Sequence, residues 1–516
     1  MKSLLVLLLP LVATAANYEI LIRNARVIDG SGNPWFRADV AVKIGRIAAL
    51  GDLRNASADR IIDARERIVA PGFIDVHVHI EGNVERAPRA DNFLLDGVTT
   101  VITGNCGSSE LNLAQWFAKI EKLGPGINVA SLVGHNSVRR EVMGAANRAA
   151  TPDEIKRMQS LVDRAMREGA VGFSTGLEYI PGTFSNTAEV ISLARAAAAH
   201  GGIYTSHMRD EGIHEIEAIT EAVNVGKEAH MPVEISHLKI DRPSVWGASD
   251  QSLALIEKFR REGVEVTADQ YPYDRAATNL GIRLPSWALA DGKIKERLAD
   301  PQTRRKIAEA MKQNLAEMGA SDYSFATVAR YAPAPEYEGK TISEITVLKH
   351  RSAGVDGDIE TIFEMMDAGG ASMIYHLMGE ADVERIMRYP YTAIASDGGV
   401  TEMGRGNPHP RSYGTNARVL AEYVRVRGVI TLPDAIRRMT SLPAQTFRLR
   451  ERGLVREGMA ADLVIFDPAR VEDKATFVRP HQYSQGFDFV MVNGKIAVDD
   501  GRITDNRAGS IVRGSQ

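Results

Sequence analysis

Two hydrophobic textures divide the chain. From Tyr18 to Ile28 apolar side chains recur at Ile20, Ile22, Ala25 and Val27 between polar ones, and Asp29-Gly30-Ser31-Gly32 turns the chain into a second alternating run, Ala38 to Ile47. A period of two buries one face of each run, which predicts short antiparallel strands. The far end repeats this texture: Asp462 to Phe466 reads as a strand, and Phe489 to Val492 with Ile496 to Val498 reads as a hairpin closed by Asn493-Gly494. Between the ends the period becomes helical. Thr151 is placed to cap a helix, with Pro152 in the first position, Glu154 closing a capping box, and Ile155, Met158, Val162, Ala165 and Met166 along one apolar face up to Gly169. Ala170 to Phe173 then reads as a buried strand, Asn186 to Ala199 as a second capped helix, and Ile203 to Ser206 as the next strand.

This strand-helix alternation persists through about 300 residues, the signature of a parallel α/β architecture. A (β/α)8 TIM barrel over residues 71–450 fits that length best. The two β-rich ends, residues 17–70 and 451–516, are predicted to form one small β-domain around the barrel. Residues 284–348 break the rhythm with a charged helix, Lys293 to Leu315, and a loop rich in Pro, Tyr and Glu, and are predicted to be an inserted subdomain. At the start, Lys2, the apolar run Leu4 to Val12 and the small residues Ala13-Thr14-Ala15 have the three parts of a secretory signal. Residues 1–16 are therefore expected to be removed and the mature protein to be exported, periplasmic or secreted. The apolar run is shorter than the roughly 20 residues of a spanning helix, so no membrane association is expected after cleavage.

Charge narrows the partners. The 516 residues carry 62 Lys and Arg against 66 Asp and Glu, a net charge of −4, which excludes an electrostatic nucleic-acid binder and leaves a small molecule as the expected partner. There is one cysteine, Cys106, so no internal disulfide can form. Such a thiol is either an inert buried group or a metal ligand.

The run Ile68 to Ile80 ends in His77-Val78-His79, and in extended chain both imidazoles share a face. Alone, that pair is half a metal site or two core histidines. Three further strand-like runs end in a ligand type: Gly202 to Ser206 before His207, Val233 to Ser236 before His237, and Thr392 to Ser396 before Asp397. Barrel enzymes gather their chemistry at the C-terminal ends of strands, so ligands tens of residues apart can converge. The β-branched run Thr99 to Thr103 leads into Gly104-Asn105-Cys106-Gly107 in the same way. Gly172-Phe173-Ser174-Thr175-Gly176 matches a G-x-S-x-G nucleophile elbow, yet a loop from Leu177 to Gly182 follows where that motif needs a helix.

The stretch Ala70-Pro71-Gly72-Phe73-Ile74-Asp75-Val76-His77-Val78-His79 resembles the first-strand signature of the amidohydrolase superfamily, metal-dependent hydrolases built on a (β/α)8 barrel. The order of the other ligand types matches that superfamily. Nearly the whole mature chain resembles its N-acyl-D-amino-acid deacylase (D-aminoacylase) branch, through Gly104–Gly107, Ser206–Glu211, Ser236–Lys239, Asp269–Tyr273, Ser396–Gly398 and His409–Gly414. The resemblance implies a tight Zn2+ site at Cys106, His207 and His237, with His77, His79 and Asp397 forming a second, weaker site or serving catalysis directly. It also implies Asp397 as general base and acid, and hydrolysis of N-acyl-D-amino acids to a carboxylate and a free D-amino acid. Chirality comes from the resemblance alone. Hydantoinase-like relatives carry on strand four a lysine that becomes carboxylated and bridges two metals; no lysine stands there in this chain, which favours the cysteine-ligated branch, with Glu178 near enough in sequence to approach the metal.

A free substrate carboxylate calls for cationic and hydroxyl donors, and Arg283, Arg411, Tyr273 and Lys239 are the candidates. An exported dipeptidase cleaving L-Xaa-D-Xaa is the related alternative, with Asp210 or Glu211 to meet the substrate amine. A non-catalytic scaffold is the alternative from another class; retention of all six ligand-type residues argues against it. The acyl group, the preferred side chain, the number of metals and the oligomeric state are left open.

Overall fold

The computed structural model describes residues 17–514; the expected export signal at 1–16 lies outside the described residues. Within them, eight parallel strands follow one another around a barrel: β1 (Phe73–Asp75), β2 (Val98–Thr103), β3 (Asn128–Ser131, resumed at Val133–Gly134), β4 (Gly172–Gly176), β5 (Ile203–His207), β6 (Val233–Ile235), β7 (Val266–Gln270) and β8 (Thr392–Ile394). Each pairs in parallel with the next. Closure between β8 and β1 is made just beyond the strand ends, where Asp397 N–H donates to the His77 carbonyl at 2.8 Å and His79 N–H to the Gly398 carbonyl at 2.7 Å. The Asp75 carboxylate reinforces this seam by accepting from the backbone N–H of both Ser396 and His77. Ile74, Ile102, Leu132, Ile203, Ala393 and Ala395 fill the bore.

Helices pack outside for the reasons their sequence supplies. Pro152–Arg167 starts at the reciprocal capping box of Thr151 and Glu154 and buries Met158, Val162, Ala165 and Met166. Thr187–Ala198 starts at Asn186, whose side chain accepts from Glu189 N–H. Among the described residues no helix is long and apolar enough to cross a membrane.

Both ends of the chain enter one nine-stranded sheet. Ile68–Pro71 is the join, pairing in parallel with Tyr18–Val27 and antiparallel with Leu463–Phe466. The hairpin Phe487–Val492 and Lys495–Asp499 turns at Asn493 and Gly494, with φ of 48° and 77°, as a two-residue Asn-Gly loop requires.

Four boundaries differ from the sequence pattern. The run Ile68 to Ile80 is not one strand: Ile68–Pro71 belongs to the β-domain, Phe73–Asp75 to the barrel, and His77 and His79 lie past the strand end. Gly72 makes the transition, pressed so closely on Thr99 that a Cβ there would lie 2.3 Å from its hydroxyl oxygen. The insertion is longer than residues 284–348, because Arg275–Asn279, Ala326–Arg330 and Ser372–His376 form a separate antiparallel sheet between β7 and β8. Its first strand is only half-buried and carries no apolar alternation. The helix expected over Lys293 to Leu315 is broken into Ile294–Ala299 and Pro301–Glu317, since Pro301 forces Asp300 into an extended conformation from which it caps the second helix. The tail also leaves the β-domain: Val129 N–H donates to Ser510 and Val512 N–H to Val129, stitching the C-terminus onto β3.

The joint between the two parts carries a buried charge. Asp462 accepts from Asn493 N–H at 2.6 Å and from the Asn128 side chain on β3 at 3.1 Å, and pairs with Arg452. Removing it strands a largely buried guanidinium, which costs about 3–5 kcal/mol. Asp462→Ala is therefore expected to lower the urea midpoint of unfolding clearly. Asp52→Ala, which breaks an exposed pair with Arg54, should leave that midpoint unchanged.

Candidate metal centre

The turn that follows β2 is built to aim one sulfur. Gly104, Cys106 and Gly107 all have positive φ, of 79°, 51° and 73°. A Cβ at Gly104 would lie 2.3 Å from the Leu132 carbonyl oxygen. The turn is pinned on two sides. Glu81 accepts from the Thr103 hydroxyl at 2.7 Å and Gly104 N–H at 2.9 Å, while the Ser174 hydroxyl donates to the Gly104 carbonyl and accepts Gly107 N–H. Ser174 of the G-x-S-x-G stretch is thus spent as a clamp for the cysteine turn and holds no reacting group.

His207 ends β5, His237 stands two residues beyond β6 with φ of 35°, and Asp397 stands three beyond β8 with φ of 49°. With Cys106, three of these side chains sit on left-handed backbone, a strained arrangement that clusters at functional sites. They converge. His207 Nδ1 and His237 Nε2 face each other at 2.9 Å, and Cys106 Sγ lies 3.8 Å from the former and 3.5 Å from the latter. Bond lengths of ordinary zinc ligation put tetrahedral N···N and S···N separations at about 3.3 and 3.6 Å, so this trio fits within about 0.5 Å. His77 Nε2 approaches Cys106 Sγ at 3.3 Å, and Asp397 Oδ1 lies 3.7 Å from His77 Nε2 and 3.2 Å from His79 Nε2. Cys106, His207 and His237 form one group close enough to share an ion; His77, His79 and Cys106 form another, and His77, His237 and Asp397 a third.

The outward-facing nitrogens meet carboxylates. Glu178 Oε2 lies 3.0 Å from His207 Nε2, and Glu211 Oε1 lies 3.0 Å from His237 Nδ1. Such partners orient a ligand ring and raise its basicity. Burial pushes the Cys106 thiol well up, helped by Asp397 and Glu211, so a bound cation is what would hold it as thiolate. Burial, Lys239 and the neighbouring imidazoles push His237 well below its ordinary value, toward the neutral form that ligates. Burial opposes ionisation of Asp397, but Arg411 at 2.9 Å, together with His79 and His77, holds it well below the usual carboxylate range.

A cavity of about 540 Å³ opens onto Cys106, His79, His237, Asp397 and Arg411. A second, of about 580 Å³, lies beyond Tyr179 and Ile180 and reaches Arg283, Asp210 and Arg242. Arg411 stacks on Tyr271 at 4.6 Å, and its Nη1 has no partner. Lys239 is held by Glu211 at 2.5 Å and lies 2.8 Å from His237 Nδ1. Arg283 is buried against Tyr375, its Nε has no partner, and it forms no ion pair among the described residues. Tyr273 is placed elsewhere. Its ring packs on His409 and Phe477 beneath Arg418 and borders neither large cavity. Tyr271, two residues earlier, is the tyrosine that stands between Lys239 and Arg411 beside the centre. Glu211, expected as a partner for a substrate amine, is held by Lys239 through Oε2 and lies beside His237. Glu178 joins the site as a partner of His207. Asp269, which the sequence reading left without a role, accepts His237 N–H at 2.9 Å and faces His77 Nδ1 at 3.2 Å. Its one legible signal is its place at the head of the stretch Asp269–Tyr273 that carries the family resemblance.

Comparison with known proteins agrees with this geometry. Residues 60–498 match the model of an amidohydrolase family. The chain is 35% identical to a D-aminoacylase of Alcaligenes xylosoxydans xylosoxydans over 96% of its own length and 97% of that protein. It is 36% identical to an N-acyl-D-aspartate deacylase of the same organism, over 96% and 95%. A solved N-acyl-D-glutamate deacylase from Bordetella bronchiseptica, complexed with zinc and a phosphonate mimic of the tetrahedral intermediate, is similar with a TM-score of 0.82 at 34% identity, covering 96% of this chain and 99% of that one. The chain belongs to the amidohydrolase family, in its D-aminoacylase branch, and is a metal-dependent amide hydrolase.

Proposed function

We propose that the protein is a zinc-dependent N-acyl-D-amino-acid deacylase, releasing a carboxylate and a free D-amino acid. The observation that carries this reading is the convergence of one thiol and two imidazoles beside a carboxylate that Arg411 keeps ionised. Cys106, His207 and His237 would hold the tight ion, and His77 and His79 with Cys106 or Asp397 a weaker one. Bound zinc supplies a Lewis acid and lowers the pKa of water from about 15.7 toward about 7.

The chain's own groups do the rest. Asp397 Oδ2 is anchored by Arg411, which leaves Oδ1, next to His77 and His79, to accept the proton of the attacking water. The same oxygen then delivers that proton to the leaving nitrogen, which departs poorly as an anion. His77 and His79 are also placed to stabilise the developing oxyanion when no second ion is held. The substrate carboxylate is met by guanidinium N–H groups that lack partners, at Arg411 and Arg283, with Lys239 beside them. Glu211 Oε2 is held by Lys239, and Asp210 Oδ1 caps the backbone of Gly212 and His214, pairings that favour a deacylase over a dipeptidase.

Release of free amine from matched N-acetyl-D and N-acetyl-L amino acids by zinc-loaded protein should occur with the D series only. Chelation should abolish it, Cys106→Ala should lose bound zinc, and Asp397→Asn should lower kcat by about 10²–10⁴ with zinc retained. Activity confined to L-Xaa-D-Xaa dipeptides would replace this reading with the dipeptidase. Arg283→Met should raise KM by about 10–100-fold with little change in kcat, the mark of a lost charge-assisted contact made equally in ground and transition states. The segment Lys2 to Ala16 supports export, and N-terminal sequencing of extracytoplasmic material should find the chain starting at Ala16 or Asn17.

A further inference from the structure

We propose that Asp269 is a positioning residue that prepares both halves of the metal centre with one carboxylate: it locks the left-handed backbone at His237 and fixes His77 as the Nδ1–H tautomer. The inference rests on the reading of His77 and His237 as metal ligands.

Asp269 lies at the end of β7, fully buried. Its Oδ1 accepts the backbone N–H of His237 at 2.9 Å, and its Oδ2 stands 3.2 Å from His77 Nδ1. A carboxylate only accepts. The amide of His237 is a fixed donor, so Oδ1 is committed and the side chain cannot turn over. Oδ2 then calls for a proton on His77 Nδ1, which in the neutral, metal-binding ring leaves a lone pair on Nε2. That lone pair points into the centre, 3.3 Å from Cys106 Sγ and 3.7 Å from Asp397 Oδ1. The same contact holds His237 in a turn with φ of 35°, a conformation a histidine rarely adopts unaided.

The two oxygens make the role testable with an isosteric change. In Asp269→Asn, the amide oxygen must stay on His237 N–H, so the NH2 faces His77 Nδ1. An NH2 needs a lone pair there, which moves the ring proton to Nε2 and closes His77 to a metal without altering the shape of the site. Cys106, His207 and His237 keep their own partners.

The experiment uses the metal-free full chain with 15N-labelled histidine. His77 is assigned by the loss of its signals in His77→Gln. Protonation at Nδ1 in the parent and at Nε2 in Asp269→Asn supports the proposal. Protonation at Nε2 in the parent, or the same tautomer in both proteins, overturns it. If Asp269→Asn does not fold, the tautomer of the parent alone decides. A cobalt titration supplies the second readout. Asp269→Asn should keep the thiolate-to-cobalt absorption of the first ion and bind the second at least about tenfold more weakly, with no added loss when introduced into His77→Gln. Unchanged binding of the second ion, or an equal loss in the His77→Gln background, argues for a merely structural role and overturns the proposal. A parent protein that shows no thiolate-to-cobalt band would instead defeat the metal reading, while the tautomer would still decide the role of Asp269.

Discussion

The structure depends on the seam between the first and last barrel strands. Two backbone hydrogen bonds, from Asp397 to His77 and from His79 to Gly398, close the cylinder, and the residues that make them are the ones whose side chains enter the centre. Closure and chemistry are therefore one constraint. A shift in register between β8 and β1 would open the barrel edge and also move Asp397 away from both histidines of strand one. Asp75 guards this seam by binding the backbone of Ser396 and His77 together, which explains a buried carboxylate with no cationic partner among the described residues. Burial pushes its pKa up to about 7, against the pull of those hydrogen bonds.

The centre stores strain at the tips and spends hydrogen bonds to hold it. Cys106, His237 and Asp397 all occupy the left-handed region, costly for residues with a Cβ. Each has a brace. Glu81 and Ser174 brace the cysteine turn, Asp269 braces His237, and the seam itself braces Asp397. These braces lie on strands or next to strand ends, so the rigidity of the barrel passes to the ligands.

The fold was legible because it rests on local pattern, and the residues that converge at the strand ends were legible from the family resemblance. Capping boxes, the Asn493-Gly494 turn and the H-x-H pair each leave a mark within a few residues. What was not legible depends on tertiary approach. Nothing in the half-exposed strand Arg275–Asn279 announces that it begins a separate sheet, since its pairing partner, Ser372–His376, lies about 100 residues onward. Between Tyr271 and Tyr273 composition offers no choice. The structure decides it, because Pro272 redirects the chain after β7 and only Tyr271 is left beside Lys239 and Arg411. Similarly, Glu211 reads as a free acid until the fold brings Lys239 within 2.5 Å.

The cysteine turn also accounts for what strand four lacks. A lysine there would need room for a long side chain rising from that strand into the mouth. Here β4 is Gly-Phe-Ser-Thr-Gly, and its end is pressed against the cysteine turn: a Cβ at Gly176 would lie 2.2 Å from the Cys106 carbonyl oxygen, and the Ser174 hydroxyl is already bound to Gly104 and Gly107. The space a lysine would cross is filled by the backbone that presents the thiol. The thiol from strand two therefore stands where a long side chain from Gly176 or Ser174 would have to pass, and the close packing at those two positions excludes one.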